Sequence, residues 1–254
     1  MAETYRWKQR GAKMSLVGKN VLITGAARRV GKILALAVAR AGGNVIIHYG
    51  SSRQEAEETL TDIQVLGGNA HLVHGDLRHN DEINDIIEQS VAFGPLFGLV
   101  NNASIFEHLT WGTTLRDAWD EHLAVNLTAP FFLSQAFARQ VPAGEKGRIV
   151  NLLDWRALRP GPDHLPYTIS KAALAALTYS LAAGLAPNIT VNGLALGAVL
   201  PPSSGPTPQS ILASVPAGRW AEPDEIGQAL IFLLDGPAYI TGDIVHLDGG
   251  RHLT

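Results

Sequence analysis

The chain has 254 residues, 46% hydrophobic and 17% charged, with a formal net charge of -3 and no cysteine. That length suits one α/β domain with an ample core. The slight negative charge, with no Lys/Arg block, gives no reason to expect nucleic acid. The lack of cysteine excludes disulfides and thiolate metal sites and is compatible with a reducing cytoplasm, the location expected here.

No apolar run reads as a bilayer span, so no membrane partner is expected. Residues 1–18 are polar and basic with no hydrophobic stretch. They read as a flexible tail rather than a secretory signal, ahead of a domain over 19–254. The nine histidines show no ligand-like spacing, and no metal is expected.

Asn20 to Thr24 reads as a first strand, Gly25 to Gly31 as a turn, and Lys32 to Ala41 as a helix closed by Gly42-Gly43. Strands follow at 44–49, 70–74, 96–101, 147–153, 189–195 and 243–247. Helices are expected at 53–66, 82–92, 115–140, 165–185 and 223–234. Strict strand–helix alternation implies right-handed crossovers and a single-domain, Rossmann-type doubly wound parallel sheet. Leu196 to Pro216 holds five prolines, four serines and two glycines. It follows the sixth strand, at the sheet edge where ligands bind, and reads as either an irregular loop or a lid.

A glycine turn between a first strand and its helix aims amide N–H groups at a phosphate. Gly25 and Gly31 stand at the outer positions of the dinucleotide fingerprint, with Arg28, Arg29 and Val30 between them and Arg29 at the middle one. An arginine there can lie along pyrophosphate oxygens. The second strand ends His48-Tyr49-Gly50-Ser51-Ser52-Arg53, with no carboxylate before Glu55 to hold a ribose hydroxyl. Arg28 and Arg53 are near enough in sequence to meet a 2′-phosphate, so NADP(H) is expected over NAD(H). His48 and Tyr49 either touch the cofactor or pack the strand end.

Tyr167 and Lys171 are four apart, which places them one turn apart on one helix face. A nearby ammonium favours the phenolate and lowers a tyrosine's pKa, giving an acid-base group that works near neutrality. Alone, such a pair is more simply a solvated face; the nucleotide signal gives it weight. Pro130 lies four residues after Asn126 in the long helical region. It has no N–H for the Asn126 carbonyl. Either the helix merely bends around the core, or that carbonyl holds a water linking Lys171 to solvent.

Together the motifs Thr24-Gly25-Ala-Ala-Arg-Arg-Val-Gly31, Gly75-Asp76-Leu77, Asn101-Asn102-Ala103, Val125-Asn126, Tyr167-x-x-x-Lys171, Val191-Asn192-Gly193 and Asp248-Gly249-Gly250 resemble the short-chain dehydrogenase/reductase family over about residues 17–250. The resemblance implies a homotetramer. It also implies that Asp76 and Leu77 flank the adenine, that Asn102, Ala103, Ser104 and Gly197 line the cofactor with Ser51 and Ser52, and that Lys171 holds the nicotinamide ribose. Two departures stand out. Asp154 replaces the family's serine thirteen residues before the tyrosine, and Leu196-Gly197 replaces its Pro-Gly.

The aspartate, the Arg-Arg turn and Asn-Ala-Ser104-Ile-Phe106 resemble the pteridine reductases of that family; the ending Asp248-Gly-Gly-Arg-His-Leu-Thr254 is similar to the bacterial dihydromonapterin and dihydrofolate-reducing members. The implied partner is a small pterin-like molecule, sandwiched by Phe106 and met at its polar edge by Ser104 and Arg29. Asp154 and Tyr167 would supply its proton, although Asp154 could instead only cap a turn. A carbonyl reductase on another substrate and an NADP-binding sensor with little turnover remain the alternatives.

Overall fold

The computed structural model describes residues 15–201 and 209–254. Most of the expected tail (1–14) and the centre of the proline-rich stretch (202–208) lie outside the described residues. Seven parallel strands form one sheet: β1 (Asn20–Ile23), β2 (Asn44–Tyr49), β3 (Ala70–His74), β4 (Leu96–Asn101), β5 (Gly147–Asp154), β6 (Ile189–Leu196) and β7 (Ile244–Leu247). Their order is β3-β2-β1-β4-β5-β6-β7. The chain reverses direction across the sheet between β1 and β4, which opens a crevice at the carboxyl ends of those strands.

Because both sheet faces are covered, the central strands read as nearly unbroken apolar runs. Val21 and Ile23 pack under α1 (Arg29–Arg40) and α8 (Pro223–Asp235), against Leu34, Val38, Ile226 and Leu230. Leu22 faces the other way, into a core shared by α3 (Asn80–Val91), α5 (Ala129–Gln140) and α6 (Leu165–Leu185). The remaining helices are α2 (Arg53–Val65), α4 (Arg116–Leu123) and α7 (Gln209–Ala213).

All seven expected strands are present, with ends moved by one residue at most except at element caps. The differences have local causes. The folded domain starts before residue 19: Leu16 is 1% exposed, and its N–H donates to Ala41 O at 2.9 Å. α1 starts at Arg29 rather than Lys32. The proline-rich stretch after β6 contains the short helix α7. The expected single helix over 115–140 is split by a π-helical turn at Ala124–Thr128. Pro130 follows that turn, where its missing N–H cannot close the usual bond to Asn126 O.

By length and composition α6 could cross a bilayer. It is instead packed on β5 and β6 and buries Tyr167 and Lys171, as a core helix does.

Candidate active site

A cleft of about 1280 Å³ opens over the carboxyl edge of the sheet. Every residue expected to contact cofactor or substrate lines it, except Arg53. Of the catalytic candidates, only Asn126 does not, being fully buried behind it.

The end of the cleft over β1 and β2 is made by backbone. Gly25 has φ 61°, and a Cβ there would sit 3.0 Å from Ala103 Cα. At Gly31 a Cβ would fall 2.1 Å from Gly25 O. Both positions need the missing side chain, one for its dihedral and both for close approach. Thr24 Oγ1 accepts from the N–H groups of Asn102 (2.9 Å) and Ala103 (3.0 Å), which ties the β4 end to this turn. Asn102 Nδ2 donates to Thr24 O at 2.8 Å.

His48 is 2% exposed and holds the turn from below. Its Nδ1 accepts from Gly25 N–H at 3.2 Å, so Nε2–H is the donor to Gly75 O at 3.0 Å. Burial pushes its pKa down to about 4. The neutral ring is therefore a brace between two loops, in keeping with the packing alternative for this residue. Gly197 closes the far wall: a Cβ would lie 2.5 Å from Asp248 Cβ. The backbone there is constrained by Asp248 although the family's proline is absent.

These features fit a dinucleotide. The glycine turn meets the α1 N-terminus, and no carboxylate follows β2 before Glu55. Arg28 lines the cleft beside Ser51 and Ser52, with Glu55 3.7 Å away. Arg53 does not line it; its Nε donates to Glu57 at 2.9 Å. Of the two arginines expected at a 2′-phosphate, Arg28 faces this end and Arg53 does not. Arg29, with φ 51°, reaches across the cleft, and its Nη2 donates to Pro201 O at 2.9 Å. Asp76 is braced by Arg78, whose Nε is 3.0 Å from Oδ1, and that bond holds its carboxyl down at about 2. Leu77 is buried in the wall beside it.

The β5–α6 side holds the expected acid-base residues. Tyr167 Oη donates to Asp154 Oδ2 at 3.1 Å. Asp154 Oδ1 accepts from Arg156 N–H at 2.8 Å, and Arg156 Nη1 lies 3.6 Å from it. Asp154 thus caps the short 3-10 turn at Trp155–Ala157 and also meets the phenol, so the cap is not its only contact.

Lys171 Nζ donates to Leu152 O at 2.7 Å and lies 5.9 Å from the Tyr167 ring centroid. Burial lowers its pKa to about 8. The expected downward shift of Tyr167 is reversed: burial first, then the Asp154 charge and hydrogen bond, push the phenol well above its ordinary value. Burial disfavours the phenolate and the carboxylate adds to it, so both push the same way. Tyr167 is a neutral proton donor at physiological pH.

Asn126 acts from behind. Its Nδ2 donates to Ile105 O and to Ser170 Oγ, both at 3.0 Å. Its Oδ1 accepts from Ile105 N–H (2.8 Å) and Ser104 Oγ (3.1 Å). The side chain therefore clamps the loop after β4 to α6, and Ser104 turns its hydroxyl toward it. Phe106, 54% exposed, makes an aromatic wall: it stands edge-on to Tyr167 at 4.6 Å and stacks on His164 at 4.0 Å.

Sequence reasoning missed His164, Arg156 and Arg251 and left Trp155 open between pocket wall and loop anchor; all four line the cleft. His164 is one residue outside α6, with φ 50°. Its position just before Leu165-Pro166-Tyr167 was the available signal. Arg156 stands two residues from Asp154 and was visible as a neighbour, but not as its partner.

The sequence profile described as short chain dehydrogenase matches residues 19–210. A 3-oxoacyl-[acyl-carrier-protein] reductase of Synechocystis sp. is 30% identical over 241 residues, covering 93% of this chain and 98% of that protein. Among solved structures, FolM alternative dihydrofolate reductase 1 from Brucella canis, complexed with NADP, superposes with a TM-score of 0.88 at 34% identity, covering 95% of this chain and 96% of that one. A gluconate 5-dehydrogenase from Burkholderia cenocepacia, with NADP and tartrate, gives a TM-score of 0.88 at 28% identity, covering 96% and 98%. With its sheet order, glycine turn and Tyr167–Lys171 pair in place over that span, the chain belongs to the short-chain dehydrogenase family of oxidoreductases.

Proposed function

We propose that this protein is a reductase that adds a hydride and a proton across a ring C=N bond of a pterin or dihydropterin-type substrate. Its cofactor is NADP(H), in line with the NADP-bound structures it superposes on. The observation that carries the reading is the Tyr167 Oη–Asp154 Oδ2 hydrogen bond of 3.1 Å. A carboxyl group stands where a carbonyl-binding hydroxyl would serve a ketone. An imine-type nitrogen needs a proton donor more than it needs such a hydroxyl. The likeness to the FolM protein of Brucella canis supports the same reading.

NADPH supplies the hydride when bound. The residues of this chain do the rest. The Gly25–Gly31 turn and Arg28 receive the phosphates, and Lys171 holds the nicotinamide ribose. Phe106 offers the flat wall for an aromatic ring, with Ser104 and Arg29 toward its polar edge. Tyr167 and Asp154 share the proton that is delivered to the ring nitrogen. Lys171 offsets the negative charge left on the pair, and we assign the replacement proton to a path past the π-helical turn at Asn126.

A carbonyl reductase is the second reading, favoured by the 3-oxoacyl-[acyl-carrier-protein] reductases among its sequence relatives. NADPH oxidation with dihydrobiopterin, dihydrofolate and a panel of ketones separates the two. Turnover of the dihydropterins is the expected result. Turnover of ketones alone would replace this reading with the second, and tight NADPH binding without turnover would point to a cofactor sensor.

A further inference from the structure

The proton chemistry leaves one charge in the cleft unused. Arg251 lies in the short 3-10 turn Arg251–Leu253 that follows β7. Its guanidinium sits over Trp155, 4.4 Å from the ring centroid, and that of Arg156 lies 4.7 Å from the same ring. Both arginines line the cleft with Asp154 and Tyr167.

Arg156 has counter-charges, since its Nη2 donates to Asp163 at 3.2 Å and its Nη1 is near Asp154. Arg251 has none: among the described residues no carboxylate lies within ion-pair distance of its guanidinium. Its Nε is buried without a hydrogen-bond partner, as is the Nε of Arg156. Burial, then the neighbouring Arg156 charge, draws Arg251 below the ordinary arginine range.

The carboxylates around it are already used. Asp248 accepts from Gly250 N–H, from His252 N–H and from His252 Nδ1. Asp163 takes Arg156, and Asp154 takes Tyr167 and the Arg156 N–H. Two guanidiniums sharing one indole, with donors left over, are costly until an anion arrives. A carboxylate, flat and able to take two parallel N–H bonds, matches such a fork.

We propose that Arg251, with Arg156 beside it on Trp155, seats a carboxylate carried on the substrate's arm, away from the ring atom that is reduced. This rests on the ring-reductase reading for the position of the reacting atom. It narrows that reading to substrates with an anionic arm over those with a neutral polyol side chain.

The test uses two substrates and one fragment. Dihydrofolate carries the carboxylates and dihydrobiopterin does not; p-aminobenzoylglutamate is the arm alone. Wild type, Arg251→Gln and Arg251→Lys are assayed with both substrates, and the arm is titrated into each protein with NADPH bound, by calorimetry. Arg251→Gln is expected to lower the dihydrofolate-to-dihydrobiopterin ratio of kcat/KM about tenfold, through KM and not kcat. Arg251→Lys restores part of the loss. The arm binds wild type with an affinity that falls with salt, and binding is lost in Arg251→Gln.

A ratio that Arg251→Gln leaves unchanged, with both substrates turned over, overturns the carboxylate seat and leaves the ring reading standing. Arg251-dependent binding of the arm without any turnover of either dihydropterin does the reverse. An arm that binds neither protein overturns the seat whatever the turnover.

Discussion

The two ends of the cleft are built from different materials. The framework of the end over β1 and β2, beside the charged Arg28 and the Asp76–Arg78 pair, is made of backbone, missing side chains and neutral buried hydrogen bonds: Gly25, Gly31, Thr24, Asn102 and His48. The end over β5 and α6 is made of charged and aromatic side chains: Asp154, Arg156, Asp163, Tyr167, Lys171 and Phe106. The first end answers to shape, where one added methyl meets an atom that cannot move. The second answers to charge, where an isosteric change leaves the packing intact and alters the chemistry. A cofactor shared across many enzymes suits the first design, and a substrate peculiar to one suits the second.

If that division is right, substitutions at the two ends fail in different assays. The largest effect belongs to the charged end. Tyr167→Phe removes one hydroxyl and keeps the ring edge on Phe106; kcat should fall roughly 10³-fold or more, with NADPH affinity nearly unchanged. Stopped-flow turnover beside fluorescence titration of NADPH reads both. An equal loss of NADPH affinity would mean that the two ends are not separable.

Gly31→Ala is the mirror experiment. Its Cβ has only 2.1 Å to Gly25 O, a backbone atom, and 2.8 Å to Ala26 Cα. The turn must open, at about 3 kcal/mol of stability, with NADPH binding lost alongside. Denaturant midpoints and the same titration check it, and a variant that bound NADPH normally would contradict the close approach.

Asp154→Asn keeps volume and the Arg156 N–H bond but removes an acid. Turnover of a dihydropterin should drop about 10²-fold. Asp154→Ser should recover activity on ketones and none on pterins. Equal losses on both substrate types in Asp154→Ser would show that the carboxyl does not select between them.

How much of this was legible before the structure follows the same division. The backbone end is local in sequence. The Gly25–Gly31 turn, the strand end at His48 and the motif at Asn102 each sit at the close of a strand, and the sheet order brings them together. The Tyr167–Lys171 pair was legible for the same reason, because helix geometry alone fixes it. The split of the long helix followed from the missing N–H of Pro130.

What was hidden depends on tertiary contact between distant segments. Nothing in the sequence says that Arg251 crosses Trp155, or that His164 lies under Phe106. The sign of the Tyr167 shift was misjudged because it depends on how deeply the phenol is buried and on Asp154 beside it, which only the fold sets. Leu16 was hidden for a different cause: scattered apolar residues in a polar tail carry no periodicity, yet Leu16 packs into the core beside Ala41.

The smallest effect separates shape from charge within the backbone end itself. His48 is the one titratable group in that framework, and it works only while neutral. The unfolded chain takes up a proton near ~6.5, the folded chain only near about 4. Between those values the unfolded state binds more protons, so acid favours unfolding; above the upper value His48 contributes no slope. From pH 6.5 to 5 this costs about 2 kcal/mol.

Protonation of the folded protein, near about 4, would also place a second donor against Gly25 N–H, so NADPH affinity should hold from pH 6.5 to 5 and weaken only as the pH falls further. Glutamine offers one acceptor and one donor and no titration. In His48→Gln the stability gap from wild type should therefore narrow as the pH falls from 6.5 to 5, whatever its size at neutrality. Parallel denaturation curves for the two proteins across that range would mean that His48 is not the group that makes the cofactor end sensitive to acid.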